Sequence, residues 1–193
     1  MNFLAHLHIA DHCDSSKLGN LLGDFVKGDP NKQYQPSIAH GVMLHRFVDS
    51  YTDQHPLMSD AKSLFDGSAR RFAPIALDVF WDHCLASRWE EFHSESLRQF
   101  CHKAEQQTRR EHVTNLPQRF LIVSQNMWQG RWLESYREMD NIEFALRRMS
   151  GRSPRMGPLS GCFAYLDRHY HTLQPIFSEL YPDVLNAAKS QAF

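Results

Sequence analysis

Apolar residues recur at the three- and four-residue spacing of an α-helix along most of this chain, and no segment alternates as a half-buried strand does. One such segment follows Ser15 and Ser16, either of which can begin a helix. Leu18 and Leu21 then fall on its apolar face. A chain of 193 residues is long enough to bury a core of its own. We therefore predict an all-α fold, a single compact multi-helix domain that extends over residues 1–193.

Prolines, glycines and capping residues divide this pattern into separate helices. Pro36 and Pro74 each suit the first turn of a helix, whereas Pro175 predicts a kink or a break in a later one. Residues 151–158 have the composition of a loop. The predicted helices cover residues 2–10, 16–27, 36–55, 74–86, 94–113, 118–128, 133–149 and 159–181, and a final short helix starts near Asp183.

Two carboxylates lie in an otherwise apolar segment, residues 76–86. Asp78 and Asp82 are four residues apart, so they lie on the same face of a helix. The opposite face is also apolar, which leaves no solvent-facing stripe for these charges. A buried carboxylate needs a metal ion, a basic side chain or a captured proton. We therefore predict that Asp78 and Asp82 belong to a buried site.

A second polar face combines His45, Arg46 and Asp49 on one predicted helix. A histidine and an aspartate four residues apart can both reach one metal ion. Arg46 beside them could hold a phosphate oxygen through two parallel hydrogen bonds. The same pattern is also typical of a solvated face on an ordinary amphipathic helix, and this segment alone leaves both interpretations open.

His6 and Asp24 are weaker candidates when each is considered alone. His6 falls among apolar residues if the first segment is helical, where a histidine can equally be a hydrogen-bonded core residue. Asp24 lies at the edge of an apolar stripe and can be an ordinary boundary carboxylate. Asn20 and Gly23 leave little bulk beside it, however, which suits the close approach of another helix or of a ligand.

Composition excludes several classes of protein. A net charge of -1 gives no overall attraction to nucleic acid. No secretion signal, long apolar run or glycine-rich phosphate loop is present, so we expect a cytoplasmic protein that does not span a membrane and is not a P-loop enzyme. The cysteines show no Cys-x-x-Cys pair, and we expect them to be reduced and structural. They are Cys13, Cys84, Cys101 and Cys162.

Taken together, these segments resemble the bacterial acyl carrier protein phosphodiesterases, and the similarity extends over nearly the whole chain. The matching segments are NFLAH (2–6), GNLLGDFVKG (19–28), HRFVD (45–49) with TD (52–53), LDVFWDH (77–83), YREMD (136–140) and LDRHY (166–170). The resemblance implies a helical enzyme related to the HD-type metal-dependent phosphohydrolases. Such an enzyme removes 4'-phosphopantetheine from holo acyl carrier protein and leaves the apo carrier protein. The expected metal is Mn²⁺ or Mg²⁺.

The HD pattern itself is not reproduced, because the adjacent pairs in this chain are His45-Arg46 and Asp82-His83 rather than His-Asp. We therefore assign the ligands from helix geometry. The predicted metal ligands are His6, Asp24, His45, Asp78 and Asp82. His83 or Asp49 is then expected to take the proton of the attacking water, and Arg46 or Lys27 to stabilise charge on the phosphate. Asp24 is predicted to be catalytic as well as a metal ligand.

An acidic carrier protein would require a locally basic surface on this nearly neutral chain. Each arginine cluster can also be no more than a solvated helix face. The candidates are Arg70, Arg71, Arg109, Arg110, Arg147, Arg148, Arg152 and Arg155.

Two other functions fit the same residues. An HD-like phosphohydrolase acting on nucleotides or other small phosphoesters would use the same metal centre and would be less sensitive to salt than a reaction with a charged protein. A non-catalytic helical module would use the histidines and aspartates as a buried polar network. Such a module would still bind its partner after chelation and in an Asp82→Asn variant.

Overall fold

Helices account for most of residues 1–191, the part of the chain described by the computed structural model, and no strand occurs among them. The predicted all-α fold is therefore confirmed. The α-helices are α1 (Phe3–His12), α2 (Lys17–Leu22), α3 (Pro36–Gln54), α4 (Pro56–Ser63), α5 (Ala73–Ser87), α6 (Leu97–Arg110), α7 (Gln118–Gln129), α8 (Trp132–Ser135), α9 (Met139–Ser150), α10 (Phe163–Arg168) and α11 (Tyr170–Ser190). Short 3-10 helices occur at Pro30–Lys32, Ala69–Arg71, Trp89–Glu91 and Pro154–Cys162.

Several predicted boundaries were wrong. The segment 133–149 is interrupted between α8 and α9, and the expected loop 151–158 is largely a 3-10 helix. Pro175 does not break the helix, and no separate helix starts near Asp183, because α11 continues through both Pro175 and Pro182. Each proline removes one backbone donor, but the buried side chains on α11 pack against the core and hold the helix together.

Helices α2 and α3 cross at a pair of glycines. A Cβ atom added to Gly19 would lie 2.9 Å from the Cα atom of Gly41 and 2.4 Å from the carbonyl oxygen of Ile38. Only glycine allows the two backbones to approach this closely. The crossing matters for the site because α3 carries His45 and Asp49, and the turn after α2 carries Asp24.

Helix α1 is attached end-on to α5 through Asp82. The backbone N–H groups of Leu4 and Ala5 donate to the two oxygens of the Asp82 carboxylate at 2.8 and 2.9 Å. The side chain of Asn2 makes no capping hydrogen bond, so Asp82 is the residue that satisfies the first turn of α1. This contact fixes the position of His6, the next residue along the same helix.

The cysteines are typical of an ordinary helical interior. All four cysteines are free, and Cys84, Cys101 and Cys162 are buried, which agrees with their predicted structural role. Within residues 1–191, no helix has the length and apolar character needed to cross a membrane.

Candidate active site

A cavity of about 660 Å³ opens between the N-terminus of α1, the turn after α2, and helices α3, α5, α7 and α9. Three carboxylates line it, from Asp24, Asp49 and Asp78. Its apolar lining includes aromatic side chains from several elements. They are Phe3, Phe25, Trp132, Tyr136 and Phe144. A cavity of this size accommodates a small organic ligand rather than a single ion.

A cluster of two histidines and one aspartate lies at the edge of this cavity. The imidazole rings of His6 and His45 are stacked, with ring centres 3.7 Å apart and planes inclined by 16°. Asp49 contacts both rings. Its Oδ1 atom lies 3.0 Å from Nε2 of His6, and its Oδ2 atom lies 3.0 Å from Nε2 of His45. One potential ligand atom from each of the three residues lies within 4.8 Å of the others.

Asp24 and Asp78 extend the cluster on either side. Asp24 Oδ1 lies 3.5 Å from Nε2 of His45, and more than half of the Asp24 side chain is exposed to the cavity and solvent. The α-ammonium group of Met1 donates to Asp78 Oδ1 at 2.7 Å and lies 3.5 Å from Asp49 Oδ1. Positive charge is therefore already present on one side of the cluster.

The two histidines are buried, yet some of their ring nitrogens have no hydrogen-bond partner. These are Nδ1 of His6 and both Nδ1 and Nε2 of His45, whose close approach to Asp49 lacks hydrogen-bond alignment. Buried polar atoms are nearly always paired in folded proteins, so unpaired ones indicate a ligand or another function. Imidazole with carboxylate is a donor set that suits divalent metals such as Mn²⁺. The residues present therefore fit the metal that the sequence predicts.

The carboxylates of the cluster favour a positive charge at His45, and a metal ion bound there would take the place of the ring proton. Burial lowers the pKa of His6 to about 4, and repulsion from His45 adds to the effect. Burial also opposes protonation of His45, but Asp24 and Asp49 outweigh it and raise the pKa to about 9. Burial disfavours ionisation of Asp49 too, yet the two histidines hold its pKa well below its usual range. The His45 ring, with its Nε2 atom 3.5 Å from Asp24, likewise lowers the pKa of Asp24.

The two carboxylates of α5 have raised pKa values. Burial raises the pKa of Asp78 to about 6, although the Met1 ammonium opposes the rise. Burial raises the pKa of Asp82 to about 7, against the effect of its two backbone hydrogen bonds. Asp78 borders the cavity, whereas Asp82 is fully buried and both of its oxygens accept from α1. The structure therefore separates two residues that the sequence analysis assigned to one ligand set.

Two other predicted catalytic residues also lie outside the cluster. The Nδ1–H group of His83 donates to the carbonyl oxygen of Tyr136 at 2.8 Å, and its Nε2 accepts from the hydroxyl of Tyr170 at 3.0 Å. Arg46 donates to the carbonyl oxygens of Gly28 and Val26 at 2.8 and 2.6 Å. Neither side chain lines the cavity. Arg46 instead holds the loop that follows Asp24.

The basic residues predicted for substrate binding are spread over several surfaces. Arg148 lines the cavity, but Lys27, Arg70 and Arg71 do not. Arg147, next to Arg148 in the chain, points elsewhere and pairs with Glu143 at 2.6 Å.

Nothing in the sequence indicated that Arg119, Trp132 and Phe144 line the cavity, and Arg152 was predicted only as one of several arginines for a basic surface. No motif distinguishes these residues along the chain. A polar residue on an amphipathic helix gives no sign of the cavity that it faces until the helices are packed together.

Comparison with known proteins gives a consistent result. The family model described as "Acyl carrier protein phosphodiesterase" matches residues 1–184. Relatives of that name from Yersinia pestis and Serratia proteamaculans (strain 568) are 42% identical over 190 residues and 43% identical over 192 residues. These alignments cover 98% of both chains for the first and 99% of both for the second. A relative of the same name from Escherichia coli O6:H1 is 39% identical over all of both chains. No solved structure gave a significant match.

Proposed function

This chain belongs to the acyl carrier protein phosphodiesterase family, and on that premise we propose that it hydrolyses the bond between 4'-phosphopantetheine and the serine of a holo acyl carrier protein. The products are the apo carrier protein and free 4'-phosphopantetheine. The observation that carries this proposal is the His6–His45–Asp49 cluster. Its histidines have buried, unpaired ring nitrogens, and its Asp49 borders a cavity that can admit an organic phosphoester.

We propose that the reaction depends on Mn²⁺ or Mg²⁺ held by His6, His45 and Asp49, with Asp24 or Asp78 completing the site. When bound, such an ion lowers the pKa of a water molecule and polarises a phosphoryl oxygen. The donor set supports this choice because imidazole and carboxylate groups suit these metals better than thiolate groups do. The relation to HD-type phosphohydrolases is part of the same proposal.

The side chains of the site have separable tasks in this reaction. Asp24 is the proposed proton acceptor for the attacking water, because its carboxylate is ionised, borders the cavity and is only partly engaged by His45. Arg46 acts one step away, because its hydrogen bonds to Val26 and Gly28 keep the loop that carries Asp24 in place. The aromatic lining excludes water from the bound arm, which strengthens charge interactions at the phosphate.

The decisive experiment follows the mass of the carrier protein. Metal-stripped enzyme is incubated with holo acyl carrier protein, with and without Mn²⁺, and the intact mass of the carrier is measured. Loss of the 4'-phosphopantetheine mass only when Mn²⁺ is present is the expected result. An unchanged carrier, under conditions where Mn²⁺ binding is demonstrated, would overturn the proposal and direct the search to nucleotides and other small phosphodiesters.

A further inference from the structure

Three arginines from separate segments converge on the same cavity as the histidine cluster. Arg119 lies on α7, Arg148 on α9, and Arg152 just after α9. All three are exposed to solvent, but they lie close enough to repel one another. Partial burial together with repulsion from Arg119 and Arg148 lowers the pKa of Arg152. A group of like charges held together costs free energy unless an anion binds to it.

None of these three guanidinium groups forms an ion pair with a carboxylate in the part of the chain that the structure describes. Other arginines do, as the pairs Arg137–Glu90 and Arg147–Glu143 illustrate. Two of the three rest on aromatic rings instead. Arg119 lies over Phe25 at 5.7 Å, and Arg148 lies over Trp132 at 4.8 Å. Stacking of this kind leaves the edge of the guanidinium free to bind an anion.

The same two helices expose large apolar side chains to solvent. Leu121 and Ile122 on α7 and Phe144 on α9 are the large hydrophobic side chains exposed within residues 1–191, and Phe144 is 60% exposed. Phe144 lies one turn from Arg148, and the Arg148 guanidinium is 5.7 Å from its ring centre. Exposed apolar groups beside arginine and aromatic residues are typical of the centre of a protein interface.

We propose that Arg119, Arg148 and Arg152, together with Phe144 and Ile122, form the surface on which the acidic carrier protein docks while its arm enters the cavity. This inference rests on the proposed function, and it adds the location of the partner. The exposure of the three arginines favours a protein surface over a free phosphate, because a phosphate site usually encloses its ligand with buried donors. Charge complementarity then sets the rate of association more than the chemical step.

The test compares steady-state kinetics of Mn²⁺-loaded enzymes with holo acyl carrier protein. In the variant Arg119→Gln/Arg148→Gln/Arg152→Gln, we expect KM to rise about tenfold or more, with a smaller effect on kcat. The KM of the wild type should increase from about 0.02 to about 0.3 M NaCl, and that of the variant should depend much less on salt. Arg137→Gln is the matched control, because it removes an exposed arginine that is paired and lies outside the cavity.

The possible outcomes distinguish a failure of the proposed docking surface from a failure of the proposed function. A wild-type enzyme that leaves holo carrier protein unchanged overturns the proposed function and the docking surface with it. An active wild type whose KM and salt dependence are unaltered in the triple variant overturns the docking surface alone. A loss of kcat with unchanged KM also overturns it, since the arginines would then act on the phosphoryl group. The Tm of each variant should equal that of the wild type, because the substituted arginines are exposed. Equal Tm values would show that the substitutions leave the fold intact.

Discussion

His6 and His8 lie two residues apart on the same helix and have almost the same burial, yet their surroundings differ. Burial lowers the pKa of each to about 4. Both ring nitrogens of His8 are satisfied, since Nδ1 accepts from the hydroxyl of Tyr181 at 2.7 Å and Nε2 donates to the carbonyl oxygen of Phe92 at 3.3 Å. His6 leaves its Nδ1 atom unpaired and faces His45 and Asp49.

This difference indicates which of the two histidines has a ring nitrogen available for a metal ion. Burial alone does not separate the two, because both are inaccessible to bulk solvent. Hydrogen bonding does, because a histidine with two protein partners has no nitrogen left for a metal ion. His8 therefore serves as the internal control for experiments on His6.

The largest expected effect is on catalysis. Replacement of a proposed metal ligand, as in His6→Gln or Asp49→Asn, should lower kcat/KM by roughly 10²-fold or more, because the proposed metal would supply several kcal/mol of charge stabilisation. His8→Gln should stay within a few-fold of wild type. Release of 4'-phosphopantetheine is measured from the decrease in the intact mass of the carrier protein. Equal losses in His6→Gln and His8→Gln would remove the distinction between the two histidines.

Metal binding can distinguish the histidines of the cluster from His8 without a measurement of activity. A Mn²⁺ concentration about 100 times Kd stabilises the folded state by about 2.7 kcal/mol, which corresponds to a rise in Tm of roughly 5 to 10 °C for a chain of this length. We expect this rise in wild type and in His8→Gln, and its loss in His45→Gln. Differential scanning calorimetry of metal-stripped protein, with and without Mn²⁺, makes the measurement. A full rise in His45→Gln would exclude His45 as a ligand.

The sequence predicted the elements that carry the site better than it predicted the site. Pro36 and the spacing of His45 and Asp49 predicted a helix that the structure has as Pro36–Gln54. Which polar groups meet depends on how distant helices pack. Asp82 is the clearest example, because its partners are backbone N–H groups 77 and 78 residues away, and every residue except proline has such a donor.

The pH dependence of stability tests the role of His8, the histidine outside the cluster. The folded-state pKa of His8 lies near 4, below its ordinary value of 6.5, so the unfolded chain takes up a proton first as the pH falls. The stability that His8 contributes is complete above about pH 6.5 and is progressively lost down to about pH 4. Between about pH 7.5 and about pH 5, wild type should lose roughly 2 kcal/mol more than His8→Gln. Urea unfolding with a metal chelator present measures this difference, and parallel curves would show that His8 is not a buried neutral group.

The smallest expected effect comes from a change near His45 that leaves α1 untouched. A Cβ atom at Gly23 would lie 2.1 Å from the His45 ring, which is buried and cannot turn away. We therefore expect Gly23→Ala to displace the ring and lower kcat/KM about tenfold, since misplacement of about 1 Å is costly in catalysis. Gly67→Ala offers a comparison at a glycine with no neighbour within 4 Å, although its positive φ adds local strain. Wild-type kcat/KM in Gly23→Ala would show that the ring can shift without consequence.

The early glycines were visible in the sequence, but their partners were not. Gly23 suggested a close approach by some group, and the structure shows that the group is the His45 ring. Arg119 gave no comparable signal, because an arginine on an amphipathic helix is ordinary. A tight contact that requires glycine can thus be suspected from sequence, whereas a cavity assembled from six helices requires the packed structure.

The attachment of α1 to Asp82 has a consequence for how the protein opens. The amides of Leu4 and Ala5 are in the first turn of a helix, where hydrogen exchange with solvent is normally fast because such amides lack helical partners. Here they can exchange only when α1 separates from α5, so their protection reports a larger cooperative opening rather than fraying of one end. Two slowly exchanging amides near the start of the chain would therefore measure how often His6 leaves its place beside His45 and Asp49.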